Sequence, residues 1–571
     1  MFALFLRTAL LPLCLLTAAP GQSAPTGSIS GSVVDARTGQ RMGGVTVEIA
    51  GGGLKQPTKV VTGSDGQFYF SGLFGGSYAV EARRSGYLDG AFGRRRPSGP
   101  GVPLRLNSDE RRDGITLELF KPGAITGTIT DEAGEPAVRV EVRAYRRTFY
   151  GGRPVMSPVE TQLTDDRGVY RIGRLAPGDY VMAVPLAASS PTPGPNSTPA
   201  NFNVRDGGSS AAHLPPLDGR LQKFAVAYYP AGTIATQASI ITLDQGELRR
   251  AVDVQLHPAR VFNISGAVTE PTGAGNLRGV QIELIAAGEE EVAGDRATAT
   301  TLTGPSGSFS IPAVPGGQYL LRALAMPKTN DPADPPQWAE QQISISDRDL
   351  TDVALALRTG VRVNGRIVLD GANDDADQRL QGMTVQLDPA NIRMTSIVPA
   401  GGLDASGRSF SVANVLPGRY LVRVNAPGGW TVKSVMHQGR DVSQSPLAID
   451  VSDAAGLVIT LTDRPTVLAG SVSGVGDIST ARVLVFPQDP QAWIDFGGSP
   501  VTMRTSSVLP TGGFEMRGLP PGDYLVVACS DETALDWQTP EFLQAAARVA
   551  THARIGEGVV LSVDLKIVTI K

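Results

Sequence analysis

The sequence predicts an all-β protein, a tandem array of about five antiparallel β-sandwich domains of about seven strands each, of the prealbumin or immunoglobulin type. Gly and Pro account for 67 and 42 of the 571 residues, which disfavours long helices because helix interiors tolerate neither residue. Segments such as residues 138–144 alternate apolar and polar side chains with the period of a half-buried strand. A three-part motif also recurs along the chain, as repeated domains require.

The N-terminus has the features of a secretory signal peptide over residues 1–24. Arg7 supplies a positive charge, residues 8–19 form an apolar run, and small residues follow. The run is too short to span a bilayer, and no later stretch predicts a transmembrane segment. Cys14 raises the alternative of a lipoprotein signal, but Pro12 and Leu13 stand where such a signal carries small residues. We therefore expect export to the periplasm, the outer surface or the medium.

The recurring motif has three parts. It opens with an apolar residue, any residue and a glycine, at Gly31, Gly127, Gly266, Gly365 and Gly470. A glycine turn then leads to an aromatic residue, at Phe68, Tyr170, Phe309, Phe410 and Phe514. A second turn, with Pro-Gly in all repeats but the first, leads to Tyr78, Tyr180, Tyr319, Tyr420 and Tyr524. Pro and Gly suit the two central positions of a type II turn, and each tyrosine ring should enter the core with its hydroxyl in need of a partner.

The motif divides the chain into five domains, called repeats 1 to 5 from here on: residues 25–121, 122–258, 259–358, 359–464 and 465–571. Repeat 2 holds an insert rich in Pro, Gly and Ser at about 186–222, which we expect to be an extended surface loop. Repeat 5 should hold a short helix at about 540–550, capped by Thr539 with Pro540 in its first position. Short linkers between the repeats predict a semi-rigid, elongated series.

Charge and cysteine content exclude two further classes. The formal net charge of −4 predicts no strong affinity for nucleic acid, although residues 27–121 carry an excess of basic side chains. The runs at 94–96 and 111–112 are typical of solvated loops. Once the signal peptide is removed, Cys529 is the one cysteine left, so the sequence predicts no intramolecular disulfide and a buried thiol in a strand.

The motif residues resemble the carboxypeptidase regulatory-like domain, a transthyretin-like β-sandwich. The shared pattern is Gly-x-Val near the start, Asp-Gly-x-Phe in the middle and Leu-x-Pro-Gly-x-Tyr after it, and it covers essentially the whole mature chain. The C-terminal half resembles a type common in secreted bacterial proteins. This resemblance implies a carbohydrate-binding-like fold and hence a possible glycan ligand. The Pro-Gly-x-Tyr turns also resemble collagen-adhesin B repeats of pilins, but no lysine lies in the opening strands, which argues against isopeptide bonds.

No catalytic, cofactor or metal site is predicted. A zinc carboxypeptidase centre needs a His-x-x-Glu pair and a further ligand, and none of the four histidines has Glu three positions later. Neither a Gly-x-Ser-x-Gly elbow nor a P-loop occurs. The acidic cluster at 370–377 lacks the Gly and the closing Glu of an EF-hand loop, so we interpret it as a solvated turn.

The candidate ligand-binding side chains are aromatic: Trp338, Trp430, Trp493, Trp537, Tyr228 and Tyr229. Exposed rings on sandwich loops can stack on sugars, although packing within their own domain is the commoner use of such rings. We therefore expect a non-enzymatic, exported, multidomain binding or scaffold protein of the cell envelope or extracellular space that acts through β-sandwich surfaces. A carbohydrate-binding protein is the first alternative, and an accessory subunit of a separately encoded hydrolase is the second. The expected partner is a polysaccharide or another envelope or extracellular protein.

Overall fold

The computed structural model describes residues 27–570, except 95, 98, 100, 186–213, 218–219, 271–276, 289–297, 327–334, 372–379, 381, 391–397, 405–406, 427–428, 475–477, 479–480, 510, 531–533 and 535. The predicted signal peptide and most of the insert of repeat 2 lie outside the described residues. The chain divides into two compact units, Met1–Lys121 and Pro122–Lys571, which correspond to repeat 1 and to repeats 2–5.

Repeat 1 is a sandwich of two sheets around one apolar core. One sheet has the strand order β4-β1-β8; the other has the order β3-β2-β5-β6, with β7 also paired to β5. The strands are β1 (Gly27–Asp35), β2 (Thr46–Gly51), β3 (Thr58–Val61), β4 (Gln67–Leu73), β5 (Gly76–Arg83), β6 (Gly90–Ala91), β7 (Leu104–Leu106) and β8 (Arg111–Leu119).

Repeat 2 follows the same plan, with the sheets β12-β9-β18 and β11-β10-β13-β16. Its hairpin of β10 and β11 is longer than its counterpart in repeat 1. The strands are β9 (Gly123–Thr130), β10 (Glu141–Tyr150), β11 (Arg153–Leu163), β12 (Val169–Leu175), β13 (Gly178–Val184), β14 (Leu214–Leu217), β15 (Arg220–Phe224), β16 (Ala227–Tyr228), β17 (Ile241–Leu243), β18 (Leu248–Arg249) and β19 (Val254–Gln255).

The end of the insert of repeat 2, from Leu214 onward, differs from the expected extended loop, while residues 186–213 lie outside the described residues. Within it, β14 and β15 form a hairpin, and β15 pairs with the first strand of repeat 3. The described part of the insert therefore extends the sheet of the next repeat. The Pro-rich composition of the insert favoured a loop. Pro is nevertheless tolerated in short edge strands, so the composition did not exclude this hairpin.

Repeats 3 and 4 each form two sheets. Repeat 3 comprises β20 (Pro258–Thr269), β21 (Gln281–Ala286), β22 (Ala299–Leu302), β23 (Ser308–Pro315), β24 (Gly317–Ala325), β25 (Gln337–Ile345), β26 (Leu350–Ala356) and β27 (Arg358–Thr359). Repeat 4 comprises β28 (Val361–Asp370), β29 (Thr384–Pro389), β30 (Ala400–Gly402), β31 (Ser409–Val415), β32 (Gly418–Asn425), β33 (Thr431–His437), β34 (Arg440–Asp441), β35 (Leu447–Ile449) and β36 (Ala454–Thr462). In repeat 4 the sheets are β31-β28-β36-β33-β34 and β30-β29-β32-β35.

Repeat 5 adds a helix to the sandwich. Its elements are β37 (Val467–Ser473), β38 (Ala481–Pro487), β39 (Arg504–Ser507), β40 (Gly513–Arg517), β41 (Gly522–Ser530), α1 (Pro540–Ala547), β42 (Thr551–Ile555), β43 (Val560–Ser562) and β44 (Leu565–Lys566). Helix α1 buries Leu543 and Ala546 in a second apolar cluster that also contains Phe486 and Trp493 of the β38 side. Repeat 5 therefore has a second, smaller core outside its sandwich.

The predicted fold class, a tandem array of β-sandwiches, is confirmed. Five separate cores lie between the sheets, one in each repeat. One feature was not predicted: the opening strand of every repeat pairs in parallel with a closing strand, while its other partner is antiparallel. Residue alternation indicates a strand and its buried face, but not the direction of the strand beside it.

Candidate functional site

The hydroxyl groups of the recurring tyrosines form hydrogen bonds within their own repeats. Each hydroxyl donates a hydrogen bond to the carbonyl oxygen four residues earlier: Tyr78 to Phe74, Tyr180 to Ala176, Tyr319 to Pro315, Tyr420 to Leu416 and Tyr524 to Pro520. The oxygen–oxygen distances are closely similar, for example 2.9 Å in repeats 3 and 4 and 2.8 Å in repeat 5. Burial raises the pKa of Tyr319 and Tyr420 to about 12. The hydroxyls therefore fasten the second turn and are not free for chemistry.

The opening glycines allow two strands to approach closely. A Cβ atom on Gly127 would lie 1.9 Å from the carbonyl oxygen of Val252, and one on Gly266 would lie 2.1 Å from that of Val353. The equivalent atom on Gly31, Gly365 or Gly470 would also lie within 2.7 Å of a carbonyl oxygen of the closing strand. The parallel ladder is interrupted or shifted at these glycines. The first motif residue is thus a steric requirement of the fold.

A third device, a buried threonine, was missed at the sequence level. The hydroxyl of Thr62 donates to Met42 O at 2.8 Å and accepts from the amide of Val45 at 3.0 Å. Thr164 and Thr303 make the same pair of bonds in repeats 2 and 3. Each of these threonines directly precedes the glycine turn of the motif, and that spacing could have revealed them.

Three of the candidate aromatic side chains are buried. Trp430, Trp493 and Tyr228 are 4%, 4% and 3% exposed. Trp430 belongs to the core of repeat 4. The Trp493 indole N–H donates to Pro487 O at 2.8 Å, and its ring meets Phe486 edge-on at 5.8 Å between centroids. These rings offer no stacking face to a ligand, because packing within the domain occupies them.

The other three candidates are half-buried. Trp537 stacks on Phe496 with ring centroids 5.7 Å apart, and Tyr229 packs at the edge of the repeat 2 core. Trp338 lies at the start of β25, where its indole N–H is shielded from solvent and has no hydrogen-bond partner among the described residues. Beside it, Gln337 donates to one carboxylate oxygen of Glu270 at 2.7 Å, while the other oxygen of Glu270 has no partner in the part of the chain that the structure describes. Trp338 is thus the candidate that lies beside polar side chains without being fully buried.

The tip of the β10–β11 hairpin of repeat 2 reaches repeats 4 and 5. The guanidinium of Arg153 donates two hydrogen bonds to the carboxylate of Asp495 in repeat 5, one of them at 3.0 Å. Arg419 of repeat 4 donates to the same carboxylate at 2.8 Å. The Tyr150 hydroxyl donates to Pro389 O of repeat 4 at 3.2 Å. A strictly serial order of repeats, as the short linkers suggested, is therefore wrong for repeat 2.

The charges at this contact perturb one another. Hydrogen bonds from Arg153 lower the pKa of Asp495, against the opposing effect of burial, and the charge of Arg419 adds to the lowering. Next to them, burial lowers the pKa of Arg423, whose Nη2 donates to Phe496 O at 3.2 Å and whose Nε lies 4.0 Å from Asp388. Burial also raises the pKa of Tyr150 to about 12. The contact is a partly desolvated ion network shared by three repeats.

A second ion network joins repeats 4 and 5. Lys433 lies 2.6 Å from Asp370 and 2.7 Å from Glu557, and Arg464 of the linker lies 3.2 Å from Asp370. The hydrogen bond with Lys433 lowers the pKa of Asp370. Lys433, Arg464 and Glu557 also line a shallow cleft that is open to solvent. Most of the acidic cluster predicted at 370–377 lies outside the described residues, and Asp370 itself serves this ion network.

Among the described residues, no three His, Cys, Asp or Glu side chains are grouped closely enough to hold a metal ion. No helix in that part of the chain has the length and apolarity needed to cross a membrane. Cys529 is fully buried in β41.

Comparison with known proteins identifies one domain family. Residues 28–113, within repeat 1, match the family model of the carboxypeptidase regulatory-like domain, which confirms the resemblance seen in the motif. No curated protein matches the chain.

Solved structures with similarity to the chain include several pilins. A streptococcal ancillary pilin is 11% identical, with 58% of this chain and 99% of that chain covered and a TM-score of 0.20. The minor pilin GBS52 of Streptococcus agalactiae is 12% identical over 41% of this chain and 96% of its own, with a TM-score of 0.21. The major pilin subunit BcpA of Bacillus cereus is 10% identical over 58% and 99%, with a TM-score of 0.16. These scores are too low to establish a shared arrangement or function.

Proposed function

We propose that the protein is an exported, non-catalytic, multidomain scaffold whose β-sandwich surfaces bind other components of the cell envelope or the extracellular space. The observation that carries this proposal is the structural role of the recurring motif. Its five tyrosine hydroxyls are bonded to main-chain oxygens inside their own repeats. The repeated residues therefore build the domain and contribute no reactive group, which leaves surfaces and domain arrangement to carry function.

Export is part of the proposal. Arg7 and the apolar run at 8–19 support it, and so does a mature chain whose one cysteine, Cys529, is buried. A chain of this kind needs no disulfide in an oxidising compartment, because each repeat has its own core.

Photo-cross-linking in the native host tests the proposal. A photoreactive amino acid is placed at exposed apolar positions of three repeats, Val61, Val451 and Val560. Irradiation of cells is expected to join at least one variant to an envelope or extracellular component. The control is the same variant without residues 1–24, which should stay inside the cell and give no such adduct. An unprocessed chain retained in the cytoplasm, or absence of adducts from all three positions, would contradict the proposal.

A carbohydrate ligand at Trp338 is a second candidate function. The observation that favours it is the half-buried indole of Trp338, which lies beside the amide of Gln337 and the carboxylate of Glu270. Rings flanked by amide and carboxylate groups suit sugar hydroxyls, since they combine a stacking face with donors and acceptors.

Affinity electrophoresis in gels that contain soluble polysaccharides tests this candidate. A saccharide-binding protein is slowed by one class of polysaccharide, and Trp338→Ala should abolish the slowing. The control is Tyr69→Ala, which removes an exposed ring from a different repeat and should change nothing. Equal mobility of the wild type and Trp338→Ala in every polysaccharide would exclude a sugar site at this position.

A further inference from the structure

We propose that the tip of the β10–β11 hairpin, residues 150–153, is a releasable clasp that holds repeat 2 against repeats 4 and 5. When it is closed, repeats 2, 3 and 4 form a ring, because repeat 3 joins the other two along the chain. When it opens, repeat 2 separates from repeats 4 and 5 while every repeat stays folded. This goes beyond a scaffold of fixed shape, since it gives the chain two arrangements.

The backbone of the tip is fitted to repeat 5. Gly152 has φ of +78°, and a Cβ atom there would lie 1.9 Å from the carbonyl oxygen of Trp493. A Cβ atom on Gly151 would lie 3.0 Å from the amide nitrogen of Gly497 and 3.2 Å from Ala390 O of repeat 4. Only glycine fits at position 152 while the tip contacts repeat 5, because any Cβ atom there would clash with the main chain of that repeat. The Gly-Gly pair therefore serves the contact with the other repeats as well as the turn.

One carboxylate joins all three repeats. Asp495 of repeat 5 is hydrogen-bonded to Arg153 of repeat 2 and to Arg419 of repeat 4, and its side chain is only 10% exposed. A carboxylate removed from water to this extent needs charged donors to offset the loss of hydration. Loss of Arg153 leaves Asp495 with fewer of them. The position of repeat 2 is thus coupled to the solvation of a group in repeat 5.

The contact is partly exposed to solvent and lies outside the sandwich cores, so it can open without unfolding a repeat. Arg153 and Arg419 remain 44% and 49% exposed, so salt screens their attraction to Asp495. The core of each repeat is complete without the clasp residues, none of which belongs to a sandwich core. Opening therefore leaves the five sandwich cores intact.

The experiment measures energy transfer between dyes on repeats 2 and 5 in the full chain from residue 25 onward. Val159→Cys and Leu509→Cys place one dye on exposed sites of each repeat, and Cys529 is too buried to react. Two variants weaken the clasp in different ways. Asp495→Asn removes the carboxylate charge that Arg153 and Arg419 share, and Gly152→Ala introduces a methyl group that clashes with the main chain of repeat 5. We expect both to lose energy transfer relative to the wild type, and added salt to reduce transfer in the wild type alone.

Each clasp variant has a matched control. Asp523→Asn removes an exposed carboxylate elsewhere in repeat 5, where the nearest guanidinium is 3.8 Å away. Gly134→Ala imposes the same left-handed strain in repeat 2, at φ of +84°, with open space around the new methyl group. Both controls should keep the energy transfer of the wild type.

Three results would overturn the clasp. Energy transfer could persist in both Asp495→Asn and Gly152→Ala, which would show that the tip does not hold the repeats. The controls could lose transfer as fully as the clasp variants, which would deny the tip any special role. Hydrogen exchange could also show loss of core protection in the clasp variants, which would mean that the contact is part of folding and is not releasable.

Discussion

Tyr420 shows what the recurring tyrosine contributes to a repeat. Its ring is almost fully buried, and its hydroxyl donates to Leu416 O at 2.9 Å. Tyr420→Phe keeps the ring but leaves that carbonyl without its donor. We expect repeat 4 to lose about 1 kcal/mol of stability, the usual net value of one hydrogen bond.

Hydrogen exchange in β29 and β32 measures this loss in repeat 4 without interference from the other repeats. The control is Tyr69→Phe, which changes an exposed ring in repeat 1 and should leave stability unchanged. Equal protection of repeat 4 in the wild type and in Tyr420→Phe would show that the hydroxyl bond contributes nothing.

Gly365 tests the steric role of the opening glycine. A Cβ atom there would lie 2.4 Å from the ring of Phe410 and 2.7 Å from Leu457 O, so the two strands must move apart to admit it. Gly365→Ala is expected to destabilise repeat 4 by about 1–3 kcal/mol, as overpacking does in cores. Thermal unfolding followed by circular dichroism checks this. Gly402→Ala in the same repeat is the matched control, because its nearest neighbour is 3.9 Å away; if it is as destabilising, the explanation by close approach fails.

Asp495 makes the clasp sensitive to acid. Arg153 and Arg419 face its carboxylate, and Arg423, Asp388 and Tyr150 lie beside them. Because hydrogen bonds from Arg153 depress the pKa of Asp495 in the closed state, the stabilisation is present above the ordinary pKa of about 3.9 and is lost as the pH falls through the depressed value. We expect energy transfer between the two labelled repeats to decrease below about pH 4.

The pH profile of Asp495→Asn separates this carboxylate from Asp388. In that variant transfer should be low at every pH above the acid range, with no further step. A full acid transition in Asp495→Asn would assign the effect to another group.

Helix α1 was expected from local signals, and its cap is testable. Thr539 accepts a hydrogen bond from the amide of Phe542 at 3.3 Å, and Pro540 occupies the first turn. Thr539→Ala should weaken the helix by about 1 kcal/mol. Hydrogen exchange at the amides of α1 is the readout, with β38 as an internal reference. Unchanged exchange in α1 would mean that packing of Leu543 and Ala546 alone holds the helix.

Strands could be predicted because their signals are local. The alternation of residues 141–144 belongs to a few adjacent residues and marks the start of β10, although Val138 and Arg139 just before it form a turn. The type II geometry predicted for the turns before the tyrosines was wrong, because Gly418 and Gly522 lack the positive φ that such a turn requires. The parallel pairing of β1 with β8 could not be predicted, since residues far apart in the chain determine it. Helix α1 lies where Thr539 and Pro540 indicate, because capping is also a local effect.

Candidate ligand residues were harder to predict than strands. A tryptophan in a strand-like segment can face the core or the solvent, and the residue type does not distinguish the two. Trp430 and Trp493 face apolar clusters, whereas Trp338 is only half-buried and lies beside the polar groups of Gln337 and Glu270. The buried threonines were visible in the sequence, directly before the glycine turn, but the motif was defined by glycines and aromatic residues.

The arrangement of the repeats was the least predictable feature. The clasp joins Arg153 to a residue 342 positions away, and short linkers carry no information on such a contact. Its sequence signal is the Gly-Gly pair between Tyr150 and Arg153, which looks like an ordinary hairpin turn. The unusual length of the β10–β11 hairpin is seen only in the structure, where its strands pair over more residues than those of β2 and β3.

Hydrogen exchange of the whole chain from residue 25 onward is the most direct test of a scaffold that acts through surfaces. It is measured on the protein alone and after addition of envelope polysaccharide or envelope protein from the native host. We predict slower exchange on exposed strands or loops of at least one repeat, with the core strands of all five unchanged. Slowing at β25 by polysaccharide would identify the Trp338 surface as the one that binds. Exchange that neither fraction alters at any surface would contradict a binding scaffold.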